Sequence, residues 1–351
     1  MILLASISLF CLAFFLSGID APYQTQFLLE SAAVVYVILF GIAVSIFLAQ
    51  NEKYLLMSLQ VVKLSVVTVS IFGIIGLLYA AVSGIYTDLI FSRSHRLIST
   101  FRLPNQLAGF FVLFMPLLWE NVTSKKTIGS ISIHAALFLS AVIGLIATGS
   151  RAGVASLFII AFLFSIHYFK QYRVQVVTAA VVLLAGLLFI TVTLVPKDSI
   201  LVRGFTFLQS IGSGSSIIGE FHSNNWALAL KLFQDNPVNG YGFGNVFKDY
   251  QYEIHNTYLS VLAELGLIGF IPFAILVISI LYYAFKNVSI AKYKENNEWL
   301  AISRGLLYGL IGFLAFANFN MMLRTRYFWV AIGLIFTVSS LLRLKQRESL
   351  N

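Results

Sequence analysis

The chain reads as an all-α, polytopic membrane helix bundle of about ten transmembrane helices with one long external loop. Three observations predict this. Hydrophobic residues fill 59% of the 351 positions and charged residues only 11%, a balance foreign to soluble domains of this size. Mean hydropathy over the chain is +0.89. The apolar residues also gather in long runs, and roughly 20 residues, or about 17 at the lower limit, cross ~30 Å of hydrocarbon as a helix.

Ten runs qualify, near residues 1–19, 28–49, 62–84, 105–119, 128–147, 153–169, 174–195, 256–285, 300–317 and 327–343. The first has no basic residue ahead of its apolar core and no evident small-residue cleavage site. It is therefore read as a retained helix, not a removed signal peptide. Cys11, the single cysteine, lies within it, so no intrachain disulfide or thiolate metal site is possible. The fourth and sixth runs are the shortest. The ten runs make one membrane domain spanning 1–351.

Between the seventh and eighth runs lies a loop, 196–254, of a length that is usually functional in a compact domain. It opens with Lys197 and Arg203, passes GSGSS at 212–216 and then turns helical. Trp226, Ala229, Leu230 and Phe233 recur at the spacing of one helical face until Asn236 and Pro237 stop the helix. The pattern predicts an amphipathic helix lying in the membrane interface, closing over a lipid-linked substrate or resting on the bilayer.

With the N-terminus placed in the cytoplasm, 13 of the 23 basic residues fall on the inner side, a weak inside excess. Their chemistry is more lopsided than their number. Inside stand nine Lys and four Arg; outside stand three Lys and seven Arg, namely Arg93, Arg96, Arg102, Arg151, Arg203, Arg324 and Arg326. Topology signals work with either residue, whereas bidentate recognition of phosphate or carboxylate selects guanidinium. The outer arginines are read as ligands for an anionic group at the external surface, with snorkelling toward headgroups as the plainer role for about half of them. A net charge of +9 does not imply nucleic acid here, because no soluble basic domain or aromatic RNA-binding motif accompanies it; lipid phosphate is the better partner.

Gly240, Gly242 and Gly244 form GYGFG, which follows no buried strand and opens no βαβ unit, so it is read as tight backbone turns close to the membrane surface or to a sugar in preference to a dinucleotide site. Tyr241, Phe243, Tyr250 and Tyr252 around it either stack on sugar rings or belong to an interfacial aromatic belt. His255 stands immediately before a run with Tyr258, Leu259, Leu262 and Leu265 at helical spacing. The positive end of that helix dipole disfavours imidazolium, and a neutral histidine can take a proton from a sugar hydroxyl. The plainer role for His255 is capping or hydrogen bonding. Glu264, inside the same apolar run, needs an arginine or a hydroxyl in the bundle interior. Arg151, in TGSRAG, stands at a helix entrance as either a phosphate grip or a snorkelling loop residue. Pro104 and Asn105 open another helix, with Asn105 as its cap. Asn318 and Asn320, with Arg324 and Arg326 beyond, form a further outer cluster.

Four segments together resemble the bacterial O-antigen ligase and polymerase family: RLPNQLAGF at 102–110, TGSRAG at 148–153, W-x6-F-x3-P-x2-G-x-G from Trp226, and HNTYLSVLAELGLIG at 255–269. The resemblance covers roughly 85–285. It implies about twelve transmembrane helices, a large periplasmic loop and a place in the bacterial inner membrane with the active site facing the periplasm. It also implies undecaprenyl-pyrophosphate-linked glycan as donor, a glycan or lipid A core as acceptor, and no cofactor, nucleotide sugar or obligatory metal. His255 then acts in catalysis and Arg151 binds the pyrophosphate. Arg102, Arg203, His222, Asn256, Glu264, Arg324 and Arg326 complete the candidate donor- or substrate-binding set. Two departures stand out. His222 occupies a position where members commonly carry arginine, leaving Arg203 as the candidate replacement, and ten runs fall short of twelve.

The resemblance implies inverting glycosyl transfer; because nothing in the sequence marks a lipid A core site, the chain is read as a repeat-unit polymerase or related surface-polysaccharide assembly enzyme, with a ligase onto lipid A core as the alternative. Transport of a lipid-linked or anionic solute is the reading from a different class. Transporters usually show internal repeats and paired broken helices, and no repeat between the halves is evident in the sequence.

Overall fold

The computed structural model describes residues 2–119, 128–168, 220–251 and 253–348. The seventh apolar run, GSGSS, Arg203 and Tyr252 lie outside the described residues. Among those residues the chain is helical, with no strand beyond an isolated bridge between Phe91 and Leu97. In order the helices are α1 (Ile2–Leu16), α2 (Gln24–Ala49), α3 (Glu52–Ser83), α4 (Pro104–Phe114), α5 (Ile128–Ala147) and α6 (Arg151–Tyr168). After them come α7 (Glu220–Asp235), α8 (Asn245–Tyr250), α9 (Thr257–Tyr293), α10 (Asn297–Phe316) and α11 (Arg326–Glu348). Five of these, α2, α3, α9, α10 and α11, are long and apolar enough to cross a membrane, and α1, α4, α5 and α6 contribute shorter apolar helices. The protein is an all-α, multi-pass membrane protein.

The chain divides into two compact units, the first made of 1–58, 218–303 and 317–351 and the second of 59–217 and 304–316. In the first, α2 and α11 run side by side in the same direction. Small residues set their approach: a Cβ at Gly41 would meet the Trp329 carbonyl at 2.7 Å, and one at Gly333 would meet the Gly41 carbonyl at 2.7 Å. Close backbone contact of this kind is how helices associate in lipid, where burial of apolar surface gives no drive. Helix α1 packs on α9 through a run of edge and tilted ring contacts from Phe273 through Phe10 and Phe14 to Phe243.

In the second unit, α4 packs against α5 and α6, and the Gly305, Gly309 and Gly312 face of α10 lies against Leu117, Leu113 and Ile160. Pro104 takes the first position of α4, where its missing N–H is no loss. Asn105 does not cap that helix, contrary to expectation; its Oδ1 accepts from Arg96 Nη2 at 2.8 Å. Arg96 Nε donates to the Thr148 carbonyl at 2.7 Å, so this arginine ties the 96–105 loop to the TGSRAG turn. Arg96, expected among the anion ligands, is thus occupied by internal contacts.

The amphipathic helix of the long loop exists as α7, rotated from expectation. Asn225, Ala229 and Leu232 are its buried stripe, packed with Val246, Ile254 and Ala263, while Leu230 is 47% exposed. Residues 225, 229 and 232 sit three and four apart and so share one side of the helix. That side lies on α9.

Candidate active site

Helix α9 begins where the sequence places its polar signal. Asn256 is the N-cap, with extended backbone and its Oδ1 accepting from the Leu259 N–H at 3.0 Å. Thr257 anchors this end. Its N–H donates to the Ala317 carbonyl at 2.9 Å, and its hydroxyl donates to the Asn320 carbonyl at 2.7 Å while accepting from the Met322 N–H at 3.0 Å.

His255 precedes the cap and is half-buried. Its main-chain N–H donates to Asn225 Oδ1 at 3.0 Å, and Asn225 Nδ2 donates to the Glu253 carbonyl at 2.8 Å. One side chain, 1% exposed, thus grips the main chain on both sides of Ile254 and fixes the 253–255 segment to α7. Burial lowers the proton affinity of the His255 imidazole below the ordinary histidine value, and the nearby Glu253 carboxylate partly opposes this. The imidazole is therefore neutral at neutral pH.

Eleven residues beyond His255, α9 is broken. Gly266 has φ 59° and ψ −161°, a conformation essentially reserved for glycine. The break frees backbone groups in an apolar helix, and the GYGFG loop satisfies them. Tyr241 and Gly242 donate their N–H groups to the Ala263 and Glu264 carbonyls, both at 2.9 Å. In return Leu267 and Ile268 donate to the Pro237 and Val238 carbonyls at 2.9 and 3.2 Å. Gly240, Gly242 and Gly244 all have positive φ, at 75°, 90° and 81°. A Cβ on Gly240 would lie 2.5 Å from the Glu264 backbone, so the turn needs glycine for conformation and for space.

Glu264 is 5% exposed. Its carboxylate accepts from the Ser260 hydroxyl and from the Gly244 N–H, both at 2.5 Å. Arg324 pairs with Glu253 at 2.8 Å and Glu30 at 3.1 Å, and its guanidinium lies over the Phe243 ring. Glu253, Ser260, Glu264 and Arg324 line a cavity of about 10 Å³, room for roughly one water and far too small for a sugar. The structure thus engages Glu264 and Arg324 in holding the GYGFG loop and the 253–255 segment.

Phe243 is fully buried against Phe14, which excludes it from sugar stacking and from an interfacial belt. Tyr241 and Tyr23 both donate their hydroxyls to Asp249, the latter at 2.6 Å. Burial and then this hydrogen bond raise the Tyr241 phenol above its ordinary range. Tyr250 is 40% exposed.

Arg151 belongs to the second unit. Gly149, at φ 60°, ends α5; Ser150 caps α6 through its hydroxyl, which accepts from the Gly153 N–H at 3.3 Å; Arg151 is then the first helical residue, with an exposed side chain. A guanidinium beside the free N–H groups of a helix start is disfavoured without an anion and well suited to one. Arg326 is likewise the exposed first residue of α11, and Arg102 is exposed in the loop before α4. Asn318 is exposed and Asn320 is 3% exposed. His222 lies within α7. Among the described residues no three His, Cys, Asp or Glu side chains gather as metal ligands.

Residues 135–274 match the family model described as O-antigen ligase. That stretch is similar to the O-antigen ligase family. It contains the TGSRAG turn with Arg151, all of α7, the GYGFG loop, His255, Asn256, Glu264 and Gly266. Arg102, Arg324 and Arg326 fall outside the stretch that matches the O-antigen ligase family. No curated protein matches the chain. Sequence reasoning missed Asn225, which reads as one more polar residue on an amphipathic helix; its position before Trp226 was the available signal.

Proposed function

We propose that the protein transfers glycan from an undecaprenyl-pyrophosphate-linked donor to an acceptor hydroxyl at the external face of the bacterial inner membrane, as a repeat-unit polymerase. The observation that carries this reading is the half-buried His255, its main chain held by Asn225 just ahead of the capped start of α9 and its imidazole's proton affinity lowered by burial. His255 takes the acceptor proton as that oxygen attacks the anomeric carbon. The bond from the anomeric carbon to the pyrophosphate oxygen breaks with inversion, and the lipid pyrophosphate leaves with the electron pair. Arg151 stabilises that leaving group, whose charge grows toward the transition state, so the contact lowers the barrier and not merely the binding constant.

The test is reconstitution of the full chain in liposomes with polyprenyl-pyrophosphate-linked glycan. Longer lipid-linked glycan and released polyprenyl pyrophosphate are expected, and the Arg151→Ala variant should be slower by about 10²- to 10³-fold. Product only when lipid A core is supplied would identify a ligase. Normal turnover in Arg151→Ala would remove that residue from the chemistry.

Asn225 supplies a second expectation. Asn225→Ala leaves the Glu253 carbonyl and the His255 N–H without their partner and should destabilise the protein by about 1–3 kcal/mol. Asn225→Asp keeps an acceptor for the His255 N–H and adds a negative charge, which raises the imidazole's proton affinity and moves the acid limb of activity to higher pH. Thermal unfolding and a pH series on both variants check this.

A broken helix also suits a transporter, where unwound backbone coordinates the solute. Here the freed groups at Gly266 are taken by the GYGFG loop, which favours the enzyme.

A further inference from the structure

A groove of about 310 Å³ runs between α1, α2, α9 and α11 in the first unit. It is no part of the candidate active site. Its far end is marked by Tyr283, roughly 40 Å along α9 from Thr257 at 1.5 Å per residue. The groove changes character along one stripe of α11. Ile332 and Phe336 line it first, then Ser339 and Ser340, then Arg343, at spacings of three and four that keep them on one side of the helix. Ile38 and Trp329, both buried, complete the apolar floor.

Two observations at the polar end point to a ligand. Ser339 is 4% exposed and lines the groove, yet its hydroxyl has no hydrogen-bond partner among the described residues. Arg343 stacks on the Tyr283 ring at 5.1 Å and pairs with no carboxylate among the described residues. Lys345, two positions on, is by contrast closed against Glu52 at 2.6 Å. Stacking fixes the guanidinium plane at the mouth and leaves its edge of N–H donors for oxygen.

We infer that this groove binds one anionic glycerophospholipid, with an acyl chain along Ile38, Ile332 and Phe336 and the phosphate on Arg343. The Ser339 hydroxyl donates to an ester or phosphate oxygen of the same molecule. An apolar channel of this volume, ending in a hydroxyl and a guanidinium, matches an amphiphile with a chain at one end and a phosphate at the other. A purely apolar occupant would leave Ser339 and Arg343 unmatched. The inference stands apart from the glycosyl-transfer reading, because neither residue belongs to the His255 site.

Native mass spectrometry of the full-length protein, titrated with phosphatidylglycerol and separately with phosphatidylcholine, tests it. The wild type should retain one phosphatidylglycerol several-fold more strongly than phosphatidylcholine. Arg343→Gln should weaken retention about tenfold, equivalent to the loss of about 1.4 kcal/mol, and Arg343→Lys should recover part of it. Ser340→Trp, at an exposed position, should block the mouth with Arg343 intact. Equal retention of the two lipids by wild type would overturn the inference without any variant. So would phosphatidylglycerol binding unchanged in either folded variant.

Discussion

The His255→Ala variant is expected to lose about 10²- to 10⁴-fold in glycan transfer, the range supplied by a positioned general base. Fold and membrane insertion should be retained, because the Asn225 side chain grips main-chain atoms of this segment and Asn256 caps α9, and the substitution leaves both in place. The pH dependence follows in sign from burial. A base must be unprotonated to act, and the His255 imidazole holds its proton less tightly than an ordinary histidine, whose pKa is about 6.5. Activity should therefore stay flat through neutrality and fall only at pH values below that, with the slope of one proton. Complementation of a strain lacking the gene, at matched membrane expression, gives the cellular readout. Loss of long surface glycan with accumulated lipid-linked repeats is the expected result. Unchanged glycan in His255→Ala would falsify the catalytic role and bring transport forward.

The second large effect falls on Gly266. In Gly266→Ala the new Cβ would sit 2.2 Å from the Val238 carbonyl oxygen, at a φ of 59° that alanine rarely adopts. Conformational strain alone costs about 1–3 kcal/mol, and the backbone overlap cannot be relieved by a rotamer change. The loop must move, releasing the four hydrogen bonds between 237–242 and 263–268 and the Glu264 contact to Gly244. We expect a lower unfolding temperature and new protease cleavage near residues 236–244, with activity lost as a consequence. Gly240→Ala, which meets the Glu264 backbone from the other side, should behave alike. Wild-type unfolding and protease resistance in both variants would show that the loop does not complete the helix.

Much of the scaffold is legible from composition, because bilayer thickness imposes run lengths that survive in the sequence as plain hydropathy. The start of α9 is legible too, since an asparagine cap is a local device whose partner lies three residues away. The candidate site is less so. Arg324 carries the same guanidinium whether it faces phosphate or Glu30, and nothing in the sequence near 324 names a partner near 30. Asn225 acts on backbone atoms about 30 residues away, and main-chain acceptors have no letter in a sequence. The phase of α7 is not legible, because Leu230 and Phe233 look like its core, whereas the neighbour that decides the matter is the α9 surface. GYGFG is the middle case. Its glycines announce tight turns, but their purpose, completing a broken helix, depends on a second glycine motif beyond His255.

Under the proposed reaction, the interlock at Gly266 also constrains how an acceptor gets in. A lid must swing, and swinging this loop would strip partners from two helix carbonyls and two helix N–H groups in surroundings where each orphan costs several kcal/mol. The GYGFG loop is therefore a fixed wall, and the doorway belongs to segments whose backbones are not shared with a neighbour.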